Sequence, residues 1–122
     1  MRVAKSLRLL LTDLVEWGEK AERLVARTNS VAVVDDEQAE LALGRVVEIV
    51  GEISGRILVW HPAWARERND EDLEHAYRMR NKLAHGYESI SSARLYEIAR
   101  SDVAVLTDKA RRWLAELPDE QP

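Results

Sequence analysis

The stretch VAKSLRLLLTDLVEWGEKAERLVAR, residues 3–27, decides the fold class. Val3, Leu7, Leu10, Leu14, Trp17, Ala21 and Leu24 recur at 4-3-4-3-4-3 spacing, the a/d seam of a long amphipathic helix packed in a bundle. Leu11, Val15 and Val25 widen the stripe, which suits a globular bundle better than a lone coiled coil. The N-terminus opens on a basic residue and leucines, as a signal peptide does. Asp13 and Glu16 interrupt the apolar run, however, and no small-residue cleavage site follows. No stretch reaches the ~18 apolar residues that a membrane span needs, so a cytoplasmic protein is expected.

The rest of the composition agrees with that opening. At 122 residues, 46% hydrophobic and 33% charged, the chain is a single globular domain and not a disordered one. Five glycines, three prolines and no phenylalanine leave a helical composition. Eighteen basic residues against 22 acidic ones give a net charge of −4, so any nucleic-acid role must rest on a local patch. The absence of cysteine excludes disulfides, thiolate metal sites and thiol nucleophiles. Three histidines are too few for a rich metal site but enough for acid–base chemistry.

Working outward, Thr28 to Asp36 reads as a connection in which Val31–Val34 form a packed loop. Asp35 with Gln38 reads as a capping box for a second helix, about Asp36 to Val59. Its apolar stripe is Ala39, Ala42, Val46, Val50 with Ile49, Ile53 and Ile57. Gly44, Gly51 and Gly55 lie on another face and point to close approach of another backbone, a second subunit being one source. Trp60-His61-Pro62 stops this helix, and a loop follows through Asn69 with Trp64 as its packing anchor. Asp70 or Asn69 caps a third helix, about Glu71 to Ala84, with Gly86 as its C-terminal glycine. A short helix runs from Ser91 or Ser92 to about Arg100. Ser101 or Asp102 caps the last one, with Val103, Leu106, Ala110, Trp113 and Leu117 in 3-4-3-4 spacing and Leu117-Pro118 as its end. The sum is an all-α up-and-down bundle of four main helices plus one short helix over residues 1–117, with a disordered tail at 118–122.

Chemistry concentrates in Arg78-Met79-Arg80-Asn81-Lys82-Leu83-Ala84-His85-Gly86-Tyr87. The apolar stripe of the third helix reads Leu73, Ala76, Tyr77, position 80, then Leu83 and Ala84, and position 80 is an arginine. An inward arginine is costly unless an anion or acceptor meets it, so Arg80 implies an internal ion pair or a site. Asn81 and His85 share a helix face, where Asn81 can orient the imidazole or hold a phosphate oxygen. Arg78, Arg80 and Lys82 gather positive charge into a small basic cleft. Arginine offers forked donors to phosphate, and a histidine can give or take a proton. Together they suit transesterification of RNA by its own 2′-hydroxyl, with His85 as general base or acid and Arg80 stabilising the charged transition state. No metal or cofactor is required. That reaction needs both an acid and a base, which a two-fold dimer would supply from two copies.

Arg80-Asn81-Lys82-Leu83-Ala84-His85-Gly86-Tyr87 resembles the Arg-x4-His-x-Tyr signature of HEPN-domain toxins, and of these the HepT group. The likeness extends to the long first helix, to Glu48–Ser54 and to Leu95-Tyr96. It implies a homodimeric helical bundle of the prokaryotic cytoplasm with a composite site at the two-fold. The implied activity is metal-independent endoribonuclease cleavage of tRNA or mRNA, toxic to its own cell, in a type II/VII-like toxin–antitoxin pair. The implied partner is an MntA-like nucleotidyltransferase antitoxin that transfers AMP onto Tyr87. Residue by residue, Arg80 and His85 are catalytic, Asn81 is a polar support and Tyr87 is the modification target. Many relatives carry Asp-x-Pro at the start of the last helix, where this chain has Asp102-Val103-Ala104.

Structural readings stand beside these. Arg80 can pair with Glu48 or Glu52, carboxylates that can equally orient a functional arginine. His85 can be a helix C-terminal histidine favoured by the macrodipole. Tyr87 can be a packing residue, and Trp64 can stack a base. His61 and His75 are read as surface residues with no role. The rival function is a non-catalytic helical dimer that docks or regulates a nucleotidyltransferase and binds nucleotide phosphate through the same pair.

Overall fold

The computed structural model describes residues 5–86 and 90–118. Helix α1 spans Leu7–Val25, and the hydroxyl oxygen of Ser6 caps it by accepting from the Leu9 N–H at 3.1 Å. Leu10, Leu11, Leu14 and Ala21 of the expected stripe are buried, with Leu7, Trp17 and Leu24 half-buried at its margin. Val3 lies outside the described residues. Gly18, which the stripe does not include, is buried too. A Cβ there would overlap the side chain of Thr107, so this glycine sets how closely two helices cross.

Of the expected packed run Val31–Val34 only Val33 packs; Val31, Ala32 and Val34 are exposed. Asn29 Oδ1 accepts from the N–H groups of Val31 and Ala32, a 3₁₀ turn follows at Ala32–Asp35, and Val33 is fully buried. Helix α2 spans Glu37–Trp60. Its cap is Asp36 and not Asp35: Asp36 has extended backbone and its Oδ1 accepts from the Ala39 N–H at 3.0 Å, while Asp35 closes the 3₁₀ turn. Shifting the cap by one puts Ala39 at the third helical position, so Asp35 and Gln38 form no capping box. Leu43 and Val47 are buried alongside the expected Val46, Val50, Ile53 and Ile57 because α2 is the central helix. It packs on α1 on one side and α4 on another.

The segment after Trp60 is a helix and not a loop. Helix α3 spans Pro62–Arg68, with Pro62 in the first turn, where its missing N–H costs no hydrogen bond. Asn69 ends it at φ 49°. Trp64 anchors it, meeting Trp113 edge-on with ring centroids 5.3 Å apart. His61, at the α2–α3 corner, is hydrogen-bonded through Nε2 to the Lys5 carbonyl at 2.9 Å.

Helix α4 spans Glu71–His85 between the two signals that predicted it. Asp70 Oδ1 accepts from the Asp72 N–H at 2.8 Å, and Gly86 leaves the helix at φ 148°. Helix α5 spans Ser92–Glu97 and is capped by Ser91. No cap follows at Ser101 or Asp102. A π turn over Ile98–Asp102, in which the Val103 N–H reaches back to the Ile98 carbonyl, carries the chain straight into α6 at Val103–Glu116. The wide turn re-phases the helix: α5 packs on α2 and the 3₁₀ turn, whereas α6 packs on α1. The bundle therefore has four long helical runs, and its separate short helix is α3. Leu117 ends α6 as expected; residues 119–122 of the expected tail lie outside the described set. No helix of the described residues is long and apolar enough to cross a membrane.

Candidate functional site

The site grows out of the α2–α4 crossing. Gly51 and Gly55 stand one turn apart on α2, and both have lost the space a side chain would need. A Cβ at Gly51 would overlap the Ala76 carbonyl oxygen and Arg80 Cβ, and one at Gly55 would overlap the Tyr77 ring. The close approach foreseen for Gly44, Gly51 and Gly55 is therefore made at Gly51 and Gly55 by α4 of the same chain, and no such neighbour meets Gly44 among the described residues. Along α4 the buried side chains are Leu73, Met79 and Leu83. Ala76 and Arg80 are half-buried, and Tyr77 and Ala84, expected in the stripe, sit at its exposed edge.

Arg80 lays its stem over Gly51 and carries its guanidinium to a cleft shared with Glu52, Arg56, Trp60 and Tyr77. Its Nη1 donates to Asn81 Oδ1 at 3.2 Å. The carboxylates expected to meet it pair instead with arginines of their own helix. Glu48 pairs with Arg45, and Glu52 with Arg56 at 2.9 Å. Among the described residues Arg80 has no ion pair, and the salt bridge expected with Glu48 or Glu52 is not formed. Glu52 lines the same cleft; Glu48 does not.

His85 is the last residue of α4 and is exposed. Asn81 bonds Arg80 and not His85, so it holds the guanidinium and leaves the imidazole unoriented. Helical geometry places Arg80 and His85 roughly 7.5 Å apart along the axis and about 140° apart around it. One α4 thus presents the two groups in different directions. The basic stretch splits in the same way. Arg78 and Lys82 are one turn apart on an exposed face, where Arg78 reaches Glu74 at 3.9 Å, while Arg80 points about 160° away from Arg78. The second cation in the cleft is Arg56, which the sequence reading missed along with Trp60. A row at i, i+4 and i+8 on α2 (Glu52, Arg56, Trp60) was the available signal. Tyr87 lies outside the described residues.

A second polar group clamps the far side of α4. His75, read as a surface residue without a role, is 3.3 Å from Asp102 Oδ2. Lys109 of α6 donates to Asp70 at 2.7 Å and Asp72 at 2.6 Å. Burial pulls the Lys109 ammonium down, but its bonds to the two carboxylates outweigh this and hold it above its ordinary value. No group of three or more His, Asp or Glu among the described residues is arranged to hold a metal.

In comparisons with known proteins, the family model described as Ribonuclease HepT-like matches residues 16–113. That span runs from the middle of α1 to Trp113 in α6 and contains the whole Arg80–His85 stretch. The searches of curated proteins and of solved structures find no match.

Proposed function

The chain belongs to the Ribonuclease HepT-like family, and from that premise we propose that it is a metal-independent endoribonuclease and the toxin of a toxin–antitoxin pair. The observation that carries the reading is Arg80: a half-buried guanidinium without a carboxylate partner among the described residues, propped by Asn81 at the edge of an open cleft. A cation kept in that state is suited to an external anion, and in RNA that anion is the scissile phosphate.

The ribose 2′-oxygen attacks the adjacent phosphorus as a base removes its proton. The new O2′–P bond forms, the P–O5′ bond breaks, and an acid protonates the leaving 5′-oxygen. The products are a 2′,3′-cyclic phosphate and a 5′-hydroxyl. Arg80 balances the charge that accumulates on the non-bridging oxygens. His85 carries the proton. Because one α4 turns Arg80 and His85 about 140° apart, a complete acid, base and cation set requires a second copy of the chain across a two-fold. The antitoxin is a nucleotidyltransferase that places AMP on Tyr87, and the added phosphate and base close the site to RNA.

The test is cleavage of total tRNA and mRNA by protein whose intact mass shows no adduct, in excess chelator, beside His85→Ala. Cleavage by the unaltered protein alone, leaving cyclic phosphate ends, is the expected result. Absence of cleavage by folded, dimeric protein would favour a docking module that binds nucleotide phosphate without cutting.

A further inference from the structure

The cleft beside Arg80 has more equipment than a phosphate needs. It is a cleft of about 220 Å³ open to solvent, smaller than the usual about 300–1,000 Å³ of small-ligand pockets, as suits a subsite that holds part of a longer ligand. One wall is Tyr77. The Cδ1–Cε1 edge of its ring occupies the space Gly55 leaves empty, and the residue is still 38% exposed. An aromatic ring seated this tightly on a neighbouring backbone loses little freedom when another ring stacks on it. The other wall is the row on α2. Arg56 is tied to Glu52 and sits 5.9 Å over the ring of Trp60, which is itself half-buried. Two guanidinium groups and one carboxylate leave the cleft net positive, with Arg56 between the Glu52 carboxylate and the Trp60 ring.

We propose that this cleft is the subsite for a guanine base adjoining the phosphate that Arg80 holds, with Tyr77 as the stacking wall and Glu52, whose carboxylate can accept further bonds beside the one from Arg56, as the acceptor that reads the base. The proposal rests on the ribonuclease reading of Arg80 and adds the sequence preference. A carboxylate repels phosphate but accepts from a base edge. Guanine offers two parallel donors, N1–H and N2–H, to its two oxygens. Cytosine and adenine offer a single amino group, and the N3–H of uracil is flanked by two carbonyl oxygens. The chemistry therefore ranks guanine first and uracil last.

Binding of nucleoside 3′-monophosphates to the full-length protein tests this without cleavage, by calorimetry. Guanosine 3′-monophosphate should bind about tenfold more tightly than uridine 3′-monophosphate. Tyr77→Ala should weaken guanosine 3′-monophosphate binding by about tenfold or more, and Tyr77→Phe should restore it. Glu52→Gln should bring guanosine and uridine together. If Tyr77→Ala does not fold, Tyr77→Leu fills the space over Gly55 without an aromatic face and should show the same loss. Equal affinity for the two nucleotides, or unchanged binding in the Tyr77→Leu protein, would overturn the proposal. So would absent binding together with a Tyr77 variant that converts a dimer to monomer, which would mark the cleft as covered by a second copy. The two readings fail separately. His85-dependent cleavage without base preference sinks only the subsite, and guanine-selective binding without cleavage sinks only the ribonuclease.

Discussion

The bundle has two seams built on the same device and put to different uses. Where α1 crosses α6, Gly18 admits Thr107, a side chain that is fully buried and spends its hydroxyl on the Val103 carbonyl at 2.6 Å. The charges at that rim answer one another, with Arg111 reaching Glu19, Glu22 and Asp108. Where α2 crosses α4, Gly51 and Gly55 admit the stem of Arg80 and the ring of Tyr77, whose polar ends continue into an open cleft. Close approach by glycine is thus neutral about purpose. A seam that closes over its polar groups is structural, and one that leaves a cation facing outward is equipped for a ligand.

Arg80→Ala breaks this comparison most sharply. If the α2–α4 seam is a site, RNA cleavage should fall by about 10²–10³-fold, the cost of losing one transition-state donor. The melting temperature should move by only about 2–4 °C, since no buried carboxylate is orphaned. A large loss of stability instead would make Arg80 structural, and the two seams alike.

The glycines sharpen the comparison next. Gly18→Ala and Gly51→Ala should each cost about 1–3 kcal/mol in chemical denaturation through overpacking. Only the first should be partly rescued by a second substitution, Thr107→Ala, which removes the Oγ1 and Cγ2 atoms it meets and leaves Cβ at 2.8 Å. The second meets the Ala76 carbonyl oxygen, which no substitution removes.

The smallest effect belongs to the clamp between α4 and α6. Lys109 has a raised folded pKa, so its contribution to stability is complete below its unfolded value of about 10.4 and is lost as pH rises through the folded one. Lys109→Met should cost about 1 kcal/mol near neutrality, flatten the alkaline side of the stability–pH profile and leave RNA cleavage unchanged. A profile that stays as steep would place that titration elsewhere.

How much of this was legible depends on whether a residue's partner is local. Asp70 and Gly86 bound α4 because caps act within a turn, and Arg80 stood out because a charge broke a local period. Non-local features were opaque. Gly51 and Gly55 announced a close neighbour without saying which, and Tyr77 looked like core because its ring covers α2 at the margin. Pro62 was read as a stop when it also starts α3, since one residue serves both purposes at a corner. Asp102 matched a cap by type, yet the helix runs on through it, and its carboxylate stands beside His75 across the bundle.

That uninterrupted run has a consequence for how the chain can vary in length. Loops absorb insertions and deletions because nothing beyond them depends on their count. The π turn at Ile98–Asp102 is already the one-residue adjustment that lets a single helix face α2 first and α1 afterwards. One residue gained or lost between Ser92 and Val103 would swing the fourteen residues of α6 by about 100° and turn Leu106, Ala110 and Trp113 away from the core. A change of length should therefore be borne by the loops and not by residues 92–116, where the count of residues matters as much as the kind.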